Sequence, residues 1–282
     1  MRFGMNLFLW TDTLSDQIRP VLDDIKAMGY DAVEIPAFET DVKKYAAWGK
    51  IFDDAGLART ACTVRGVDDN PMSADPKIRR AGIDANKRAL DVAAAAGCET
   101  LIGPYHSALG HFSGAPATKD EWKWAVESMR EVAEHADKCG VHLGIEYLNR
   151  FECYLLNTAA DGARFVREVN HPRCKMMYDT FHSHIEEKDT RDAIRALKGI
   201  LIHVHISEND RSTPGKGNIR WRKNFDALKD IGYDNLMVVE AFGLALPGLA
   251  AATKIWRRMF DSEKQLAADA LKFMKSEVAK RW

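Results

Sequence analysis

The sequence predicts an α/β fold, a single (β/α)₈ barrel formed by residues 1–282. Three observations carry this expectation. First, a helix-like segment that ends in glycine and leads into a short apolar run recurs at Gly29, Gly56, Gly97, Gly140 and Gly232. Glycine suits the left-handed residue just past a helix end. The near-continuous apolar runs suit parallel strands covered on both faces. Second, Leu9-Trp10-Thr11-Asp12, after the first strand candidate, is not the glycine-rich turn a doubly wound open sheet carries there. Third, no Pro/Gly/Ser-rich linker or charge block divides the 282 residues, and single barrels commonly run to about 250 residues.

In chain order, the first strand is expected at 3–9 and the first helix at 15–28, closing at Gly29. Strands follow at 32–35, at 60–64 after Gly56, and at 100–102 after a helix over 78–96. The helix 121–138 leads through Gly140 to a strand at 142–146, and the helix 159–169 to one at 174–178. A helix at 191–197 precedes a strand at 200–206, and the run 236–240 after Gly232 supplies the eighth. Strict alternation of β and α units is the pattern of a parallel barrel. A further helix is expected at 250–260, where Trp256, Met259 and Phe260 fall on nearby turns and suit packing on the barrel or a dimer face.

Composition narrows the function classes. With 46% hydrophobic and 29% charged residues the chain is an ordinary globular one, which excludes disordered, collagen-like and disulfide-scaffold classes. Forty basic residues against forty-one acidic ones leave a net charge of -1, so no general attraction to nucleic acid or an anionic membrane is expected. Cys62, Cys98, Cys139, Cys153 and Cys174 form no CxxC pair or metal knuckle, and are expected as free thiols in a reducing compartment, the cytoplasm. The opening apolar run is broken by Gly4 and Asn6 and does not read as a signal peptide. No stretch approaches the roughly 18 apolar residues of a membrane span. Gly215-Lys216-Gly217-Asn218 lacks P-loop spacing, and no Gly-x-Ser-x-Gly elbow is present.

Catalytic groups of a barrel sit at the carboxyl ends of its strands. In the second half of the chain those ends carry Glu146, Asp179, His205 and Glu240. Three carboxylates pointing into one space repel one another unless a divalent cation lies among them. Oxygen-rich ligation with a single imidazole favours Mn²⁺ or Mg²⁺, with Co²⁺ also admissible, over a thiolate-type zinc site. His203 shares the face of His205 by strand periodicity and suits a hydrogen-bonded core histidine.

The segments Glu146-Tyr147-Leu148-Asn149-Arg150-Phe151-Glu152, Asp179-Thr180-Phe181-His182, His203-Val204-His205 through Arg211, and Glu240-Ala241-Phe242 together resemble the ketose 3-epimerases. These include the D-tagatose, D-allulose (D-psicose) and L-ribulose 3-epimerases of the xylose isomerase-like barrel superfamily. Asn149-Arg150-Phe151-Glu152 is the most specific element, since hydroxypyruvate isomerases and inosose-processing relatives share the four ligands but usually lack it. The resemblance implies a metal held by Glu146, Asp179, His205 and Glu240, with Glu146 and Glu240 doubling as opposed acid/base groups. It implies that Glu152, His182 and Arg211 hold the oxygens around C1 to C3 of a free, unphosphorylated sugar. A homodimer or homotetramer is implied as well. The run Glu208 to Gly215 differs from that of the better-known epimerases, which leaves the preferred ketose open.

Inverting a carbon beside a ketone requires removing its hydrogen as a proton from one face and returning one to the other. The anion between these steps is viable only as an enediolate, whose charge needs electrostatic stabilisation. Two bases of matched strength suit a reversible reaction. In the first half of the chain, Asn6, Phe8, Trp10, Glu34, Arg65, Tyr105 and His106 fall at or beyond strand ends and are expected to shape the far end of the sugar. Trp10 and Tyr105 offer aromatic faces for its C–H surface. The loop 104–116 is long enough for a lid. The competing functions are an aldose–ketose isomerase such as a hydroxypyruvate isomerase, and a non-catalytic sugar-binding barrel. A DNA-repair endonuclease of the same superfamily needs several metals and a basic face, which nine histidines and a near-neutral charge do not favour.

Overall fold

The computed structural model describes residues 1–282. Eight parallel strands close into one barrel in chain order: β1 (Arg2–Asn6), β2 (Ala32–Pro36), β3 (Ala58–Cys62), β4 (Thr100–Gly103), β5 (His142–Ile145), β6 (Cys174–Asp179), β7 (Leu201–Ile206) and β8 (Leu236–Val239). Closure comes from β8 pairing with β1, with Arg2 opposite Leu236. The helices are α1 (Arg19–Met28), α2 (Val42–Asp54), α3 (Pro76–Ala95), α4 (Lys119–Cys139), α5 (Ala159–Val169), α6 (Thr180–Glu186), α7 (Thr190–Ala196), α8 (Trp221–Asp230), α9 (Pro247–Thr253) and α10 (Glu263–Ala279). No helix is long and apolar enough to cross a membrane.

The recurring glycines do what their positions predict. Gly29, Gly56, Gly97, Gly140 and Gly232 all take φ between 63° and 92°, the left-handed conformation that ends a helix and turns the chain into the next strand. Helix starts are capped by side chains. Thr118 and Glu121 form a reciprocal capping box on α4, and Asp41, Asp75, Thr158 and Ser262 cap α2, α3, α5 and α10.

Strand alternation sorts the side chains into two cores. Outward residues such as Met5, Val33, Leu101, Leu143, Tyr178, Val204 and Met237 join a cluster of 68 buried residues between barrel and helices. Inward residues form separate layers. Ala32, Leu236 and Val238 fill the floor, while Cys62, Ile102 and Met177 lie higher with Phe8 and Phe242. Gly4 and Gly144 stand where the barrel is tightest: a Cβ on either would approach a neighbouring side chain to 2.9 Å.

Two expected elements differ: the first strand stops at Asn6, where Leu7–Leu9 turn into a 3₁₀ helix, and the helix near the end is broken. The segment 250–260 is not one helix: α9 ends at Thr253, and Lys254 takes the left-handed conformation with φ 63°. Trp256 lies beyond that break, 72% exposed. The last helix, α10, packs Leu266, Ala270, Leu271 and Met274 into the outer core.

Candidate active site

The site lies at the carboxyl ends of β5 to β8. Glu146 and Glu240 stand one residue past β5 and β8, yet each still donates its backbone N–H to the neighbouring strand, to Gly103 at 3.2 Å and Ile206 at 3.3 Å. Their Cα atoms are therefore held as firmly as strand residues. Asp179 ends β6, opposite His205 of β7. A register shift at Met176/Met177 precedes this pair, an irregularity that re-aims side chains beside functional sites. Asp179 caps α6 by accepting the Phe181 N–H with Oδ1 at 2.6 Å, which leaves Oδ2 for the site.

The four side chains are nearly inaccessible to solvent and converge. His205 Nδ1 lies 3.4 Å from Asp179 Oδ2 and 3.3 Å from Glu240 Oε1. It is buried and makes no hydrogen bond of acceptable geometry. Donor atoms of Asp179, His205 and Glu240 fall within 4.8 Å of one another, as do those of Glu146, Asp179 and His182. Two buried carboxylates at an unpaired imidazole nitrogen, with Glu146 clustered on Asp179 beside them, fit a divalent cation bound mainly by oxygen.

Arg211 closes the site. It takes a left-handed conformation with φ 62°, which turns its side chain in from the loop after β7. Its guanidinium lies 2.5 Å from Glu240 Oε2 and 3.4 Å from Asp179 Oδ2. Two aromatic rings lie against it, with the centroids of Phe181 and Phe242 3.8 Å and 5.1 Å from the guanidinium carbon. His182, in α6, accepts the Asn149 N–H at Nδ1 over 3.1 Å, so its neutral form carries the proton on Nε2. That Nε2 faces Arg211 Nη2 at 3.0 Å and Glu146 Oε1 at 3.7 Å. Glu152 is oriented by Asn149 Nδ2 at 2.8 Å and lies 3.9 Å from Arg211, while Arg150 pairs with Glu186 instead.

Burial drives the electrostatics apart. Burial and then the Glu240 charge push Glu146 well above the usual carboxyl range. Burial acts on Glu240 in the same direction, but His205 and Arg211 outweigh it and hold that carboxyl low. His205 is raised well above an ordinary histidine, because Glu240 and Glu34 overcome the cost of burial. His182 is pushed down to about 3 by burial and by Arg211, so it is neutral at physiological pH. A paired acid and base with environments this different suits proton transfer in and out of one substrate.

The structure gives the first-half candidates different places. Tyr105 is not at the site: its ring is fully buried in the outer core and its hydroxyl donates to the Leu101 carbonyl at 2.9 Å. His106 is likewise buried and engages the Glu146 carbonyl with Nε2 at 2.8 Å. Burial pushes it down to about 4. Asn6 and Glu34 face inward but bind each other at 2.8 Å, below the ligand layer. Arg65 is tied to Asp69 and Thr63. Trp10 stays half-buried beyond β1, packed against the outer core. Phe8 packs with Phe242 and stacks on the exposed ring of Phe38 at 5.4 Å. In the loop 104–116, Gly110 donates to the Glu152 carbonyl at 2.8 Å, joining this loop to a site residue, while 110–114 are largely exposed.

Sequence reasoning missed Glu208. Its fully buried carboxylate accepts the N–H groups of Gly215 and Ile219 at 2.8 and 3.0 Å and the Trp221 indole at 3.0 Å. The loop that presents Arg211 is wrapped around this one side chain.

Residues 22–277 match the family described as the xylose isomerase-like TIM barrel. The D-psicose 3-epimerase of Ruminiclostridium cellulolyticum is 33% identical over 97% of this chain and 98% of its own. The chain belongs to the ketose 3-epimerases, within the xylose isomerase-like barrels. These are carbohydrate-isomerising enzymes. The solved structure of Methylomonas sp. D-allulose 3-epimerase in complex with D-allulose superposes with a TM-score of 0.92, at 29% identity over 100% of this chain and 97% of that one. The D-psicose 3-epimerase of Clostridium cellulolyticum H10, solved with D-tagatose, gives a TM-score of 0.89 at 30% identity, with 99% of both chains covered.

Proposed function

We propose that this ketose 3-epimerase inverts C3 of a free ketose, using Glu146 and Glu240 as the two acid/base groups. Candidate substrate pairs are D-fructose/D-allulose, D-tagatose/D-sorbose and L-ribulose/L-xylulose. The observation that carries the proposal is the pairing of two buried glutamates, from β5 and β8, with Asp179 and His205 between them. Their protonation preferences are driven in opposite directions.

Glu146, Asp179, His205 and Glu240 would hold a divalent cation, Mn²⁺ or Mg²⁺ with Co²⁺ as a third option. Such a cation supplies charge stabilisation for an enediolate. The protein does the rest. One glutamate takes the C3 proton and the other returns a proton to the opposite face, with the roles exchanged in the reverse direction. His182 Nε2 and Arg211 Nη2 are two donors 3.0 Å apart, and one substrate oxygen can accept from both. Arg211 stays charged throughout, and Phe181 and Phe242 limit where its guanidinium moves. Burial of all these groups strengthens each electrostatic interaction.

The test is a panel of D-fructose, D-allulose, D-tagatose, L-ribulose and triose hydroxyacids, run before and after exhaustive chelation and again with MnCl₂ restored. The proposal expects C3 epimers only, lost on chelation and recovered with Mn²⁺. Full epimerisation after chelation contradicts the metal's role. An aldose–ketose isomerase would instead interconvert C1 and C2, and a sugar-binding barrel would bind without turnover. The five unpaired thiols support a cytoplasmic location, checked by cell fractionation. A homodimer or homotetramer, supported by the exposed Trp256 and Leu244 side chains, is checked by light scattering.

A further inference from the structure

Glu34 is a charged residue in the middle of β2, on the inward face, with its side chain wholly buried. Its two oxygens are surrounded by donors. Oε1 accepts from Asn6 Nδ2 at 2.8 Å and from His205 Nε2 at 2.7 Å. Oε2 accepts from Thr60 Oγ1 at 2.8 Å, and His203 Nε2 lies 3.0 Å away. Asn6 is fixed in turn, because its Oδ1 accepts the Phe8 N–H at 2.7 Å. A carboxylate has about four lone-pair sites, and three of this one's accept hydrogen bonds, with the His203 ring beside the rest. Glu34, His203 and His205 bring ligand-type atoms within 4.8 Å of one another, but the two Glu34 oxygens already accept three hydrogen bonds.

What Glu34 controls is the far side of the His205 ring. An acceptor at Nε2 requires the proton to sit there, and the free lone pair of the neutral ring is then on Nδ1. Nδ1 is the atom that faces Asp179 Oδ2 and Glu240 Oε1. We propose that Glu34 is a positioning residue for the metal centre, holding His205 in the orientation and tautomer that present Nδ1 to the ion. The inference rests on the assignment of Glu146, Asp179, His205 and Glu240 as the ligands. It adds a residue from the opposite side of the barrel, bracketed by Asn6 of β1 and Thr60 of β3.

The test is calorimetric titration of chelator-stripped protein with MnCl₂, for wild type, Glu34→Gln, His205→Ala and the double variant. The expected result is an affinity about 10- to 100-fold weaker in Glu34→Gln. In the His205→Ala background the same change should alter affinity by less than about twofold, since a residue acting through His205 has nothing left to act on. A merely structural glutamate would lower the melting temperature without this non-additivity. Unchanged affinity in Glu34→Gln, or full additivity in the double variant, overturns the inference and leaves the ligand assignment standing. Wild-type protein that takes up no Mn²⁺ overturns the ligand assignment, and the inference with it. A crystal structure of the Mn²⁺-loaded wild type decides the matter without any variant. Mn²⁺ on Nδ1 with Nε2 on Glu34 supports the inference, and Mn²⁺ on Nε2 ends it.

Discussion

Glu34, in the middle of β2, and Glu240, one residue past β8, are both buried glutamates, and both lie within 3.3 Å of a His205 ring nitrogen. Their surroundings separate them. Glu34 is ringed by neutral donors and histidines that fill its oxygens, and against the cost of burial His205 and His203 hold it far below the carboxyl range. Glu240 shares its space with Asp179, Glu146 and the Arg211 guanidinium, so like charges crowd it and its ion pairs are the kind a substrate or cation can replace. The same contrast runs between the two halves of the barrel. Strands β1 to β3 supply a satisfied scaffold, and β5 to β8 supply groups whose demands are met only in part. Residue type does not distinguish support from chemistry here. The unsatisfied hydrogen-bonding capacity does.

The largest expected effect is on the reactive side. Glu146→Gln and Glu240→Gln should each lower kcat by at least about 10²-fold, the usual scale for losing a positioned acid or base. Near-normal turnover in either variant removes that residue from proton transfer. Next is Arg211→Lys, which keeps the charge but loses the planar group that lies against Phe181 and Phe242. Steady-state kinetics should show kcat/KM reduced by about 10-fold or more, a drop of about 1.4 kcal/mol in transition-state stabilisation.

Acidification should then weaken metal binding. Glu146 and His205 both hold their protons to higher pH than usual, and a cation must displace those protons. Affinity therefore rises with pH, by up to about tenfold per unit for each proton displaced, until both groups have lost their protons. Titrations between about pH 6 and pH 8 should show it, and a flat profile would contradict the assigned protonation states. The smallest effect belongs to Tyr105→Phe. Losing the bond to the Leu101 carbonyl should cost about 1 kcal/mol of stability in denaturant unfolding, with KM unchanged. A raised KM would return Tyr105 to the sugar site.

The barrel and its four strand-end residues were legible in the sequence because strand periodicity and parallel topology determine where such side chains point. Gly29 and Gly140 marked helix ends by a backbone requirement that few other residues meet. The directions of loop side chains were not legible. Tyr105 follows β4 closely, but its ring turns out toward the helices, and no local pattern signals this. Glu208 sits in a polar loop, and no local pattern signals that four of its neighbours in the chain fold over it. Glu34 was expected at or beyond a strand end, facing the sugar, but it lies in the middle of β2. Its real partner, His205, is 171 residues away in the chain.

Incubation of the metal-loaded enzyme with its ketose in D₂O tests the central claim most directly, with the product's hydrogen positions read by NMR. A two-base C3 epimerase places solvent deuterium at C3 of the inverted product. Deuterium at C1, or turnover with no solvent hydrogen entering C3, would contradict it.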